Sequence, residues 1–127
     1  MATKFTRTFG CPSEFTLHVL GGKWKTVILC YLKQQPLRYA DLRRLIPTLS
    51  DKVLSERLAD LCALGLVSKR RTTSASRELY MLTATGKSLG GPLTELYRWG
   101  ERNAQVFGAN VDSHPLARLK PQSPGDR

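Results

Sequence analysis

Cys11 is the residue whose type and position point most directly to chemistry. Pro12 follows it, and proline favours the first turn of a helix because its missing amide hydrogen would have no partner there in any case. A thiolate at a helix N-terminus is stabilised by the helix dipole, which lowers the thiol pKa and makes it more reactive. Cys11 is therefore a candidate reactive thiol. The alternative is a small apolar residue with no chemistry, since free cysteines often serve only in packing.

The other nucleophiles and metal ligands do not combine into a recognisable site. The three cysteines, at positions 11, 30 and 62, are odd in number and widely spaced, unlike a disulfide framework or a zinc site. We expect Cys30 and Cys62 to pack near the core. His18 lies two helical turns from Cys11, about 10 Å away and out of reach as a base. The Gly-Lys pair at 22 and 23 lacks the residues around it that a P-loop requires. The sequence predicts no enzyme, metal or cofactor.

Basic residues form a second group that shares one chemistry. Residues 22–78 contain twelve Lys or Arg and five Asp or Glu, a net charge of +7 out of +10 for the whole chain. Contacts with nucleic-acid phosphates need only positive charge and hydrogen-bond donors. The candidates for these contacts are Lys23, Lys25, Arg38, Arg43, Arg44, Lys69, Arg70, Arg71 and Arg77. Any one of them alone could be a solvated surface cation, so the clustering is what indicates an anionic partner.

A shorter polar set has the spacing of one helix face. Leucines at 54, 58 and 61 fall on one side of a helix that follows Ser50, a favourable N-cap, and polar side chains fall on the other side. In a DNA major groove Lys52 can donate to guanine, Ser55 can contact several base edges, and Glu56 can accept from cytosine. The predicted base-reading residues are Ser50, Asp51, Lys52, Ser55, Glu56 and Arg57.

Helical and strand periodicities define the elements that must position these residues. The predicted helices cover 11–21, 23–34, 40–46, 51–64 and 84–107, and the predicted strands cover 37–39, 66–71 and 77–83. Gly90-Gly91-Pro92 should bend or interrupt the last helix. Two short helices around a tight turn, followed by a basic hairpin, predict a winged helix-turn-helix whose second helix enters the major groove. The expected fold is mainly α with a small β-hairpin.

Length and composition favour one domain with loose ends. The chain has 127 residues, 41% of them apolar, and its longest apolar run is six residues, against the roughly 20 that a membrane helix needs. No secretory signal is visible, so we expect a cytoplasmic protein with no membrane partner. We divide the chain into an N-terminal arm (1–10), a winged helix-turn-helix domain with dimerisation helices (11–107) and a flexible basic tail (108–127).

Several segments together resemble the HxlR family of bacterial winged-helix transcription regulators, which are related to MarR proteins. The segments are Cys11-Pro12, Leu20 to Trp24, Arg38 to Arg44, Leu64 to Val67 and Tyr80 to Gly86. The resemblance covers about residues 11–107. It implies a homodimer, built from the first and last helices, that binds an inverted-repeat operator in double-stranded DNA. It also implies that Cys11 senses quinones, aldehydes or oxidants; a small electrophile or apolar ligand is the expected effector.

The last helix carries more apolar surface than one small domain needs to cover, which independently favours a homodimer. The predicted interface comprises Phe15, Leu93, Leu96, Tyr97, Trp99 and Phe107. The alternative is that this stripe only closes the core of a monomer.

Three function classes remain after these arguments, the third being a protein-interaction module. The first is a dimeric, sequence-specific DNA-binding transcriptional regulator. The second is a non-specific basic module that binds RNA or coats the nucleoid. The sequence lacks the exposed aromatic residues interleaved with Lys and Arg on which RNA bases usually stack, which favours the regulator.

Overall fold

The helices and strands follow the predicted order in the computed structural model, which describes residues 4–71 and 78–111. The elements are α1 (Pro12–Leu20), α2 (Lys25–Gln34), β1 (Leu37–Arg38), α3 (Tyr39–Leu45), α4 (Asp51–Ala63), β2 (Val67–Arg71), β3 (Glu78–Leu82), α5 (Ala84–Ser88) and α6 (Gly90–Asn103), followed by a 3₁₀ turn (Ala104–Phe107). The structure confirms a mainly α fold with a small sheet, arranged as a winged helix-turn-helix.

The sheet has three antiparallel strands in the order β1-β3-β2. Val67 pairs with Leu82 and Lys69 with Tyr80 in the β2–β3 hairpin, and Leu37 of β1 pairs with Tyr80 from the other side. We call this hairpin the wing. Residues 72–77, which connect β2 to β3 in the sequence and include the predicted phosphate contact Arg77, lie outside the described residues.

A leucine-rich core holds α4 in place. Its inward leucines, at 54, 58 and 61, are almost completely buried, as the helical spacing predicts. The buried face of α2 packs in the same core and contributes Ile28, Leu29, Tyr31 and Leu32. The exposed face of α4 is therefore fixed by the core behind it.

Helix α2 begins two residues later than predicted. Trp24 precedes it with φ of 82°, in the left-handed region that side chains with a Cβ rarely adopt, so Lys23 and Trp24 form a turn rather than helix. Left-handed backbone costs about 1–2 kcal/mol at a non-glycine residue. Trp24 packs its ring against the core, which offsets that cost.

The last predicted helix is divided, but the break precedes the Gly-Gly-Pro segment. Helix α5 ends at Ser88, Leu89 forms the joint, and Gly90, Gly91 and Pro92 make the first turn of α6. Proline is acceptable in a first turn because its nitrogen needs no intrahelical donor there.

The N-terminal arm lies against α1. The Phe5 and Phe9 rings pack edge-on against the Phe15 ring, with centroid distances of 5.5 and 5.2 Å. Residues 1–3 and 112–127, which include most of the predicted tail, lie outside the described residues. In the part of the chain that is described, no helix is both long enough and apolar enough to cross a bilayer.

Candidate nucleic-acid interface

Helix α4 is closed at both ends by local hydrogen bonds. The Ser50 hydroxyl accepts from the backbone N–H of Val53 at 3.2 Å, which confirms the predicted N-cap. At the other end Gly65 adopts φ of 76°, and the N–H of Leu66 bonds to the Leu61 carbonyl at 3.0 Å. The exposed side of the helix presents Lys52, Ser55 and Glu56 to solvent.

The start of α4 is fastened to α3 through Asp51. The Asp51 Oδ1 atom lies 2.9 Å from Arg43 Nε and accepts a hydrogen bond from the Tyr39 hydroxyl at 2.8 Å. Arg43 also donates to the Leu49 carbonyl in the turn between the helices. Arg43 and Asp51, both predicted to contact DNA, therefore hold the two helices together. Tyr39 was not among the predicted site residues; the sequence placed it in a short strand, whereas it is the first residue of α3.

Arg57 is likewise occupied within the chain. Its Nε donates to the Lys23 carbonyl at 3.1 Å, and its guanidinium pairs with Asp60 at 3.3 Å. The side chain ties the turn before α2 to the flank of α4. Arg57 was predicted to read bases, and in the structure its guanidinium makes these positioning contacts within the chain.

Two arginines share one carboxylate at the start of α3. Arg38 lies 3.4 Å from Asp41, and Arg44 pairs with the same side chain. Burial raises the pKa of Asp41, but hydrogen bonds from the Arg38 backbone and from Arg44, and the Arg38 charge, outweigh it and hold the pKa below its usual value. Part of the charge of Arg38 and Arg44 is thus neutralised locally.

The described part of the wing carries one paired and two open cations. Lys69 lies 3.1 Å from Glu78, and the hydrogen bond that the Lys69 ammonium donates to the Glu78 carboxylate, with the nearby Tyr80, raises the pKa of Lys69. Arg70 and Arg71 are exposed on the same strand. The predicted cations that have no carboxylate partner within residues 4–71 and 78–111 are Lys23, Lys25, Lys52, Arg70 and Arg71. These charges are the ones most available to an anionic ligand.

A groove of about 570 Å³ runs between α4 and the wing. Tyr39 and Ser55 line its helix side, and Lys69 and Tyr80 line its wing side. Its walls offer hydroxyl and ammonium donors over a length of two helical turns. Glu78 also lines the groove and is paired with Lys69, so the lining combines hydroxyl groups, one ion pair and apolar side chains.

Cys11 is exposed and occupies the position just before α1, at the helix N-terminus, as predicted. Its Sγ lies 3.0 Å from the Ser13 hydroxyl, and this hydrogen bond, together with the Ser13 and Glu14 backbone N–H groups, lowers the pKa of the thiol. Burial instead raises the pKa of Cys30 and of Cys62. Among the described residues no three His, Cys, Asp or Glu side chains group as a metal site.

The predicted dimer residues divide into two groups. Leu96 and Trp99 on α6 are 48% and 57% exposed. Phe15 and Phe107 are exposed as well. Leu93 was predicted to lie in the dimer interface, but it is 2% exposed and packs in the core against α2. Tyr97 is half-buried in a cavity between α2 and α6. The predicted interface residues that remain open to a second copy are therefore Phe15, Leu96, Trp99 and Phe107.

Comparison with known proteins agrees with this arrangement. Residues 19–107 match the family model described as HxlR-like helix-turn-helix. The chain belongs to this family. The HTH-type transcriptional regulator YkvN of Bacillus subtilis is 39% identical over 95 residues, covering 74% of this chain and 80% of YkvN. The resemblance found in the motifs is thereby confirmed.

Solved structures of known transcriptional regulators share the fold of this HxlR-like chain. The redox regulator HypR in its reduced form superposes with a TM-score of 0.72 at 31% identity, covering 77% of this chain and 98% of HypR. Quinone-bound YodB from B. subtilis gives a TM-score of 0.60 at 30% identity, covering 72% of this chain and 99% of YodB. The HxlR-like chain is thus a transcriptional regulator of the helix-turn-helix type.

Proposed function

We propose that the protein is a homodimeric regulator that binds an inverted-repeat operator in double-stranded DNA and responds to an electrophile or oxidant through Cys11. The observation that carries the DNA-binding part is the exposed set Lys52, Ser55 and Glu56 on α4. The core fixes this set in place, and the wing adds the exposed cations Arg70 and Arg71, which have no carboxylate partner among the described residues. The wing grips phosphates and the helix face reads bases.

The wing cations contribute affinity for DNA, and the exposed residues of α4 contribute sequence specificity. Phosphate contacts supply salt-dependent affinity for any sequence, whereas base-edge contacts discriminate among sequences. Lys52 donates to guanine, and Glu56 accepts from the cytosine amino group. The charges of Lys52 and Glu56 cancel, so the reading face adds little non-specific attraction.

The sensing part of the proposal rests on the geometry of Cys11. The exposed thiol has a lowered pKa and lies beside the N-terminal arm. Of the fold relatives, HypR is described as a redox regulator, and YodB has been solved with quinone bound. By analogy, the Cys11 thiolate adds to an electrophilic carbon of a quinone, which forms a C–S bond and leaves a hydroquinone after proton transfer.

Selection from a randomised duplex library tests DNA recognition. The full-length protein should enrich a pseudo-palindrome, and a footprint over the duplex upstream of its own gene should contain the same sequence. Replacing Arg70 and Arg71 by alanine should weaken binding to all duplexes about equally and flatten the dependence of log affinity on log salt. Uniform affinity across duplexes, or equal competition by bulk RNA, would instead support a non-specific nucleic-acid module.

Adding a benzoquinone or hypochlorite to the protein–operator complex tests the sensing part. We expect release of the wild-type protein and retention of Cys11→Ser. Cys62→Ser is the matched control, because this thiol has a raised pKa and should leave the response unchanged. An identical response of wild type and Cys11→Ser would exclude Cys11 as the switch.

A further inference from the structure

The Tyr39 hydroxyl has no part in the proposed DNA contacts, but it lies beside Asp51 and Ser55 on α4. It is the first residue of α3 and is half-buried in the wall of the groove between α4 and the wing. Its oxygen lies 2.8 Å from Asp51 Oδ1, 3.1 Å from the Asp51 carbonyl oxygen and 3.3 Å from Ser55 Oγ. One phenol therefore touches both an N-terminal residue of α4 and a candidate base reader.

The Tyr39 hydroxyl donates its one hydrogen to the Asp51 carboxylate. The carboxylate of Asp51 can only accept hydrogen bonds, it is the nearest acceptor, and its Oδ1 is also paired with the Arg43 guanidinium at 2.9 Å. Hydrogen bonds to an ionised acceptor are about twice as strong as neutral ones. The Tyr39 hydroxyl therefore donates to the Asp51 carboxylate in preference to the neutral Ser55 hydroxyl. The Tyr39 oxygen then offers only lone pairs to Ser55.

This direction fixes the Ser55 hydroxyl. A serine hydroxyl has one hydrogen and two lone pairs, and in the contact with Tyr39 it must supply the hydrogen. Its exposed side then carries lone pairs alone. An unconstrained serine rotates to suit either a donor or an acceptor on a base, but Ser55 has lost that freedom.

We propose that Tyr39 is a specificity-determining positioning residue that makes Ser55 a hydrogen-bond acceptor in the major groove. The groups that Ser55 selects are then the exocyclic amines, adenine N6 and cytosine N4, because these are the base donors displayed in that groove. Guanine O6 and N7 and thymine O4 are acceptors and are disfavoured at this position. The inference rests on the proposed sequence-specific binding of DNA and defines part of the sequence that is bound.

The test begins with three library selections, using wild type, Ser55→Ala and Tyr39→Phe. The base pair whose preference changes in Ser55→Ala is the one that Ser55 reads. Two modified duplexes are then made at that pair. In the first, the amine is deleted by placing purine for adenine or 2-pyrimidinone for cytosine. In the second, a 7-deazapurine removes the N7 acceptor and keeps the amine.

Deleting the amine should weaken wild-type binding roughly threefold to tenfold, the range expected for one hydrogen bond. The same deletion should cost Ser55→Ala much less, and the 7-deazapurine should not distinguish the two proteins. Tyr39→Phe should tolerate all four bases at this position, because the freed Ser55 hydroxyl can rotate. The assignment of Ser55 as an acceptor is wrong if the 7-deazapurine, and not the deletion of the amine, weakens binding in a way that depends on Ser55.

Tyr31→Phe is the matched control. It removes a tyrosine hydroxyl that contacts the Leu45 carbonyl, away from the exposed face of α4, and should keep the wild-type base profile. If Tyr39→Phe, checked by thermal melting, lowers affinity equally for all duplexes and keeps that profile, Tyr39 is merely structural and the inference fails. It also fails if Ser55→Ala changes no position of an otherwise clear consensus. Absence of any consensus with wild type overturns the proposed function itself.

Discussion

At the scale of single residues, the environment of each thiol separates one reactive cysteine from two that pack. Cys11 is exposed, and Ser13 and two backbone N–H groups stabilise its thiolate. Cys30 and Cys62 are half-buried, and burial raises the pKa of both thiols because it disfavours the charged form. Reactivity with electrophiles follows the thiolate fraction, so it should be confined to Cys11 near neutral pH.

Iodoacetamide labelling followed by peptide mass spectrometry measures this order directly. Cys11 should be alkylated first, and its rate should rise at a lower pH than the rates of the other two cysteines. Ser13→Ala removes the strongest hydrogen bond to the sulfur, so the midpoint of the Cys11 profile should move to higher pH. Ser88→Ala removes a distant serine hydroxyl and should leave the midpoint of the Cys11 profile unchanged. A Cys11 profile that is indifferent to Ser13 would contradict this explanation.

At the scale of elements, the N-terminus of α3 depends on the charge of Asp41. Its carboxylate accepts from the Arg38 backbone N–H at 2.9 Å and also pairs with Arg44. Because the folded-state pKa lies below the unfolded value, this contribution is complete above the unfolded pKa of about 4 and is lost as the pH falls through the folded pKa.

Asp41→Asn should therefore lose about 1 kcal/mol of unfolding free energy at pH 7 and show a shallower loss on acidification than wild type. Urea unfolding at several pH values between 7 and 3 measures both effects. Glu95→Gln, which breaks the exposed pair with Arg98, should change stability at pH 7 by much less. Parallel pH curves for wild type and Asp41→Asn would show that Asp41 is not responsible.

The start of α5 is locked against the end of α4 by a close backbone approach at Gly86. Thr83 donates from its hydroxyl to the Gly65 carbonyl at 2.6 Å, and a Cβ on Gly86 would lie 2.1 Å from the Leu66 carbonyl oxygen. A side chain at this position must push two backbone segments apart, so Gly86→Ala should destabilise the fold by about 2–4 kcal/mol. The chemical denaturation midpoint measures this loss.

Gly91→Ala provides the comparison on the neighbouring helix. A Cβ on Gly91 meets no described atom within 4 Å, so alanine there should be neutral or slightly stabilising in a helix. Equal effects of the two substitutions would show that the clash at Gly86 relaxes without cost.

The elements themselves were largely predictable from the sequence, and most of the failures occur at joints. The spacing of leucines at 54, 58 and 61 identified the buried face of α4, and Ser50 and Gly65 identified its ends. The left-handed backbone of Trp24 was not predictable, because local propensity favours glycine there and only tertiary packing of the ring makes it acceptable. Leu93 was assigned to the wrong surface because periodicity defines a stripe without saying which neighbour covers it.

The functional side chains were found by type, but their partners were not. Sequence spacing placed Asp51 and Arg57 on the exposed part of α4 and could not show that Arg43 and the Lys23 carbonyl would occupy them. Arg43 comes from α3 and the Lys23 carbonyl from the turn before α2, so their proximity to α4 depends on how these segments pack against it. Tyr39 was missed for the same reason, since its link to Ser55 joins residues on separate helices.

At the scale of the whole molecule, the outward face of α6 is the surface available to a second copy. Leu96 and Trp99 are about half exposed, and the Trp99 ring lies 6.0 Å from that of Phe107. Exposed apolar side chains that contact one another are candidates for an interaction site, and a dimer would present two α4 helices to half-sites one DNA turn apart. Trp99→Glu places a charge in this patch, whereas Trp99→Phe keeps it apolar.

We expect wild type and Trp99→Phe to sediment as dimers at micromolar concentration and Trp99→Glu to sediment as a folded monomer. The monomer has one α4, so it loses the effective concentration that holds the second half-site, and its affinity for a full operator should fall about 10²- to 10⁴-fold. Its affinity for an isolated half-site should be unchanged, because the α4 surface lies on other elements than the patch. Sedimentation velocity and titration of full and half operators measure the two effects. A Trp99→Glu protein that remains dimeric would assign the interface elsewhere.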